Sequence, residues 1–468
     1  MPIELLLARL EDGQPVLPGG IEDEALAELP IAPLEPPSRL WDSSGGLDDL
    51  ARQRWGLVIP QGPEGERLLS LVAPLRAARE AQQGAPARVY VVPTGLDAGG
   101  ASRWKKQVFR HDDVPEEERP RYLLVLGDLD LVSLELQQAL STDAFVGRLA
   151  FASDVGYANY VSKVLRWEGA AACETRTRLL FYTARDDSSA TRLGHRELVE
   201  PCLDTFRRRQ QAGALKGVEA RELRYEPEAP ERHLLEAAAE PGPAVLLSVS
   251  HGACLPEGEA HASARRSGQG ALILSRRRRL EGADLATGPF LAGGMWFCFA
   301  CFSAGTPARG LYTPFLRRLA TRGSDYQRVL SWLATRGEER PFIAALPQAA
   351  LANPEGPLAV MGHVDLAWSC GFIDRGQRTS SRFWSVLRAL ALGHRAGNAM
   401  RALLDFFNDA NMELTARHAQ DALRGSERPS MDAAAHAYLW LQRQDLMAYV
   451  LLGDPAARLP HPPSTEEA

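Results

Sequence analysis

Residues 295–307 read MWFCFACFSAGTP, and the interpretation of that run decides the fold. An apolar stretch of strand length breaks abruptly into Ser-Ala-Gly-Thr-Pro, the pattern of a buried strand running into a loop. Outward from it the same pattern recurs. Downstream come PLAVMGHVDLAW (357–368), helical material from Arg382 to Arg424, and AYVLLGDP (448–455). Upstream come AVLLSVSHG (244–252) and GALILS (270–275), and earlier WGLVIP (55–60), ARVYVVP (87–93), RYLLVLGD (121–128), AFVGRLAF (144–151) and RLLFYTA (178–184). Amphipathic stretches such as GERLLSLVAPLRAAREAQQ and YANYVSKVLRWEG separate several of these runs. Strands alternating with helices predict an α/β fold with a mostly parallel central sheet and helices on both faces. The alternation occurs twice, which predicts two successive α/β units, 49–210 and 211–460. Residues 1–48, rich in Pro, Gly and acids, read as a tail or prosegment, and 461–468 as a C-terminal tail.

Composition excludes several function classes. The 468 residues are 45% hydrophobic and 24% charged, with a net charge of −6, which gives no electrostatic reason to expect nucleic acid or an anionic membrane as partner. No uncharged apolar run reaches membrane-spanning length, and the start lacks a signal-peptide pattern. Six cysteines (173, 202, 254, 298, 301 and 370) without a paired framework predict reduced thiols and a cytoplasmic setting.

Two of those cysteines lie in the opening run. Cys298-Phe-Ala-Cys301 matches C-x-x-C, but no second such pair follows, and positions three apart in a strand point to opposite faces. Cys298, inside the run, reads as core. Cys301 stands where the run ends, the place where open α/β sheets bind ligands. His251 stands at the corresponding end of AVLLSVSHG, with Gly252 beside it leaving room for backbone to approach a ligand closely. Thiol and imidazole at two strand ends suit nucleophile and base.

These segments resemble the caspase-like cysteine peptidases, nearest the gingipain type and the bacterial caspase-like peptidases related to separase. LLSVSHGA is similar to their strand followed by His-Gly, and FACFSAG to their strand followed by Ala-Cys and a nearby Gly. RYLLVLGDLDLVS, FVGRLAF and YVLLGDPAARLP resemble gingipain-type segments flanking the site, and the resemblance covers roughly residues 55–458. The Gly after the nucleophile stands one residue later than in the usual Cys-x-x-Gly.

The resemblance implies a caspase/gingipain-like three-layer α/β sandwich and an endopeptidase with a Cys301–His251 dyad. The backbone N–H groups of Gly252 and Cys301 would form the oxyanion site, and neither metal nor cofactor is needed. It implies protein substrates, and Trp368 as a wall of the specificity pocket. Cleavage after Arg requires a carboxylate at the pocket floor, for which Asp365 and Asp143 are both candidates. The basic run Arg276, Arg277, Arg278 and Arg279 is a candidate processing site, making the chain a zymogen cut by itself or by an upstream peptidase, in a bacterial defence or cell-death cascade by analogy. Two rivals remain open: an inactive scaffold or binding protein of the same fold, and a thiol–disulfide enzyme using Cys298 and Cys301.

Overall fold

The computed structural model describes residues 46–169, 176–186, 188–254, 262–320, 327, 330, 340–374, 376–424 and 433–460. The expected tails, 1–48 apart from its last three residues and 461–468, lie outside them. In chain order the strands are β1 (Trp55–Pro60), β2 (Arg88–Val92), β3 (Tyr122–Leu126), β4 (Phe145–Leu149), β5 (Thr177–Thr183), β6 (Val218–Glu222), β7 (Ala244–Val249) and β8 (His251–Gly252). They continue as β9 (Leu272–Ile273), β10 (Arg279–Leu280), β11 (Met295–Phe299), β12 (Gly305–Thr306), β13 (Phe342–Ile343), β14 (Ala359–His363), β15 (Ile373–Asp374), β16 (Gln377–Arg378) and β17 (Tyr449–Gly453).

Ten of them form one mostly parallel sheet in the order β2-β1-β3-β4-β17-β14-β11-β7-β5-β6. The sheet runs unbroken across the expected boundary near residue 210, because β5 pairs with β7 from Arg178↔Ala244 to Thr183↔Val249. β17 enters mid-sheet and runs antiparallel to β14. Such strands are covered on both sides, which is why their sequences are continuously apolar.

Alternation along β11 sorts its side chains between two cores. Trp296 and Cys298 join the core formed with the helices Pro63–Leu71, Ala73–Gln83, Asp154–Gly169, Arg232–Ala239 and Ala345–Ala352. Met295, Phe297 and Phe299 join the core on the other face, with the helices Glu200–Gln211 and Ser381–Ala391. A smaller core lies under β2 and β3 with Trp104, Phe109 and Leu136. Helix, sheet and helix make three layers. No described helix is long and apolar enough to cross a membrane.

The edges of the sheet can be assigned from single bonds. Asp128, just past β3, accepts the N–H of Ile343 at 2.7 Å, and Ile343 pairs with Gly305 beyond β11. The carboxyl ends of β3 and β11 therefore share an edge. Trp55, opening β1, donates its Nε1–H to Asp454, just past β17, at 3.0 Å.

The described residues among 408–424 and 433–443 belong to a second compact unit. Within it Arg443 Nε donates to Asn411 Oδ1 at 2.5 Å, and the rings of His418 and His436 lie 4.8 Å apart.

Candidate active site

β7 and β11 are neighbours, with Cys298 opposite Ser248 and Phe299 opposite Val249. One step further Ser250 N–H donates to Phe299 O at 3.1 Å, so both chains leave the sheet side by side. His251 and Cys301 follow at once. Gly252 packs directly on the cysteine's backbone: a Cβ there would lie 1.8 Å from Cys301 O and 3.1 Å from Cys301 N. The glycine is required by close approach rather than by a turn.

His251 belongs to a small antiparallel sheet in which it pairs with Ile273 of β9. Its Nε2 lies 3.0 Å from Ser188 Oγ and 3.5 Å from Asp186 Oδ2. Among the described residues no hydrogen bond links it to Cys301. Asp186 comes from the end of β5, the strand next to β7. Burial would raise its pKa, but hydrogen bonds from Thr191 and Ser188, helped by His251, outweigh that and hold the carboxyl below its ordinary value. The sequence reading missed Asp186. Its signal was present, since it stands just past the apolar run RLLFYTA, as His251 and Cys301 stand past theirs.

Cys301 is partly exposed, and its thiol sits on the loop after β14. Ala367 N–H donates to Sγ at 3.3 Å, and Sγ lies 3.7 Å from Ala367 O. Burial pushes the thiol up to about 12; the Ala367 N–H opposes this, while Asp365, Asp445 and Cys254 add to it. At neutral pH the group is therefore a thiol. The next residue, Phe302, has φ 56°, left-handed backbone that a bulky residue seldom adopts, and its N–H bonds Asp365 O at 2.9 Å. Where the resembling motif places a glycine close after the cysteine, this chain bends at Phe302.

Cys298 is 1% exposed, and burial pushes it up to about 12 as well. Both cysteines are free thiols.

The pocket candidates separate. Trp368 lies one residue past Ala367, its ring edge-on to Tyr312 at 5.6 Å. Asp365 is fully buried, but its carboxylate is spent on backbone, accepting Leu311 N–H at 2.6 Å and Leu366 N–H at 2.7 Å. Asp143 is a correction: it precedes β4, on the edge of the sheet opposite Cys301, and pairs with Arg110 at 2.5 Å and Lys105 at 3.1 Å. The sequence offered an acid near an apolar run without showing which end of the strand it would occupy. A third carboxylate was not foreseen. Asp445 is fully buried, its Oδ1 accepting Trp368 N–H at 2.8 Å and lying 3.4 Å from His363 Nε2. Its Oδ2 has no hydrogen-bond partner among the described residues.

Arg276 to Arg279 close the hairpin between β9 and β10. Leu274 N–H and Ser275 N–H both donate to Arg278 O, at 3.0 and 3.1 Å. Arg278 pairs with Asp284 at 2.9 Å and Arg279 with Glu281 at 3.0 Å. Arg276 and Arg277 are exposed. A run closed in this way is not an extended strand that a peptidase could take up directly.

No protein-family model and no curated protein sequence matches the chain. Among solved structures it is similar to the Arg-specific cysteine proteinase gingipain R, with TM-score 0.48 and 11% identity over 87% of this chain and 78% of that one. A chain described as a protease gives 0.48 and 12% over 88% and 80%. A complex of the pro- and mature domains of the Porphyromonas gingivalis protein gives 0.45 and 12% over 87% and 79%.

Proposed function

We propose that the chain is a cysteine endopeptidase in which Cys301 attacks the substrate carbonyl and His251 serves as its base. The observation that carries this is the placement of thiol and imidazole at the ends of two adjacent parallel strands, with the Gly252 backbone laid on the cysteine's peptide. Because Nε2 of His251 is engaged with Ser188 and Asp186, Nδ1 takes the thiol proton and later gives it to the departing amine. Asp186 orients the ring and stabilises its cationic form. A thiol raised to about 12 does not rest as an ion pair, so its proton leaves as the sulfur attacks or once substrate displaces it from Ala367. For a basic residue before the scissile bond, Trp368 supplies a wall and the buried carboxylate of Asp445, which accepts Trp368 N–H, a negative charge behind it.

The test is cleavage of arginine-amide reporters and a peptide library by the purified protein. Cys301→Ala abolishes turnover while Cys298→Ser keeps most of it, and His251→Ala loses about 10³-fold or more with little further loss in the double variant. If Cys301→Ala still cuts, or the two losses multiply, the dyad is wrong. A scaffold of the same fold would cleave nothing.

A further inference from the structure

A cleft of about 980 Å³ has as one of its wall residues Asp186, the carboxylate 3.5 Å from His251 Nε2. The volume falls in the range of ligand-binding clefts, and this one is broadly open to solvent. Its opposite wall is the β9–β10 hairpin, which Tyr225 fixes by donating its hydroxyl to Leu274 O at 3.3 Å. Three arginines face the opening: Arg185, Arg276 and Arg277. All are exposed; among the described residues Arg276 and Arg277 have no ion pair, and Arg185 has only a long one to Glu222 at 4.0 Å. The acids on the same walls are largely committed. Asp186 is held by Thr191, Ser188 and His251, and Glu231 lies 3.2 Å from Arg278, leaving Glu228. With Arg278 counted, four arginines line the cleft against three acids, so its lining is basic by one charge although the whole chain carries −6.

We propose that this cleft is a subsite for an acidic side chain of the polypeptide substrate, read by Arg276 and Arg277 with help from Arg185. The inference rests on the endopeptidase reading for its substrate class. Guanidinium groups on a turn whose backbone is already hydrogen-bonded are pre-placed for a carboxylate, which they can hold through paired N–H groups. The arginine run thus recognises substrate instead of being cut.

Two fluorescein-labelled peptides test it, alike in a central Arg and differing only in Glu or Gln at the two to five positions on either side. Binding is read by anisotropy on the full chain carrying Cys301→Ala, and cleavage as the ratio of kcat/KM on the active chain. The Glu peptide is expected to bind and be cleaved about tenfold better at low salt, the advantage shrinking in 0.5 M salt. In R276E/R277E that ratio falls below one, and R185E lowers it in part. Equal handling of the two peptides, or a preference that survives charge reversal, overturns the proposal even if the peptidase is active. If nothing is cleaved while Glu still binds better and reversal removes the difference, the cleft stands and the endopeptidase reading falls.

Discussion

Gly252 has no room for a side chain, and the obstacle is the main chain of Cys301. Because backbone cannot swing aside as a side chain can, Gly252→Ala must push β8 or the cysteine loop outward. Its expected effect is a loss of turnover of about 10²-fold or more with the sheet intact, seen as near-normal circular dichroism and a modest fall in Tm. Normal activity would mean that the peptide of Cys301 is not held where this packing puts it. Asp445 gives a second prediction at this scale. Asn keeps the oxygen that accepts Trp368 N–H but removes the charge. Asp445→Asn should therefore lower kcat/KM for Arg reporters about tenfold or more relative to reporters with a neutral residue there, while a uniform loss on both would make Asp445 merely a support for the loop. The Cys301 thiol itself should alkylate slowly at pH 7 and about tenfold faster per pH unit above it, ahead of buried Cys298. Fast alkylation at pH 7, mapped by mass spectrometry, would show a resting thiolate instead.

At the scale of elements, strand ends do most of the positioning. Asp128, at the end of β3, uses one oxygen, Oδ1, for the N–H groups of both Leu129 and Ile343. Burial pushes this carboxyl up to about 6 from 3.8. The folded state therefore holds a proton that the unfolded chain has lost, and stability falls as pH rises from about 4 to about 6. Asp128→Asn keeps Oδ1 and removes the titration. Unfolding curves across that window should move in favour of the variant by about 3 kcal/mol, whereas parallel curves would refute the cause. The strands were legible in the sequence because β7, β11 and β14 are buried on both faces and read as unbroken apolar runs. Cys301 and His251 were legible because each follows such a run immediately. Asp445 was not: it comes from the end of the helix Ala433–Met447, and its meeting with Trp368 depends on β17 pairing with β14. The same holds for Asp143, whose sequence neighbours do not reveal that it faces Arg110 on the far edge.

At the scale of the molecule, one buried carboxylate ties together parts of the chain far apart in sequence. Asp454 accepts Trp55 Nε1–H, and lies 2.6 Å from Arg79, which also pairs with Glu168 at 2.5 Å. Arg79 and Asp454 are both fully buried. Removing one partner leaves a buried guanidinium short of its counter-charge, so Asp454→Ala should cost about 3–5 kcal/mol in a denaturant titration. Asp454→Asn, which retains an acceptor for Trp55, should cost less. A loss below about 1 kcal/mol for the alanine variant would mean that water replaces the missing carboxylate.

The mid-sheet place of β17 bears on how the molecule is made. Synthesis delivers β1 to β4 and β5 to β14 long before residues 449–453, yet β4 and β14 meet only through that last strand. Until it arrives, the nascent chain carries two half-sheets, each ending in a five-residue buried strand whose outer backbone N–H and C=O groups lack a neighbour. Such edges invite pairing with other chains. Completion of the sheet must therefore wait for β17, whose pairing with β4 spans about 300 residues of sequence and is slow for that reason. The same strand brings Tyr449 beside His363 and, through the helix before it, Asp445 beside Trp368. A ribosome-bound chain halted before residue 445 would thus hold Cys301 and His251 without the carboxylate proposed above as the negative charge behind Trp368, and on that proposal would be synthesised unarmed.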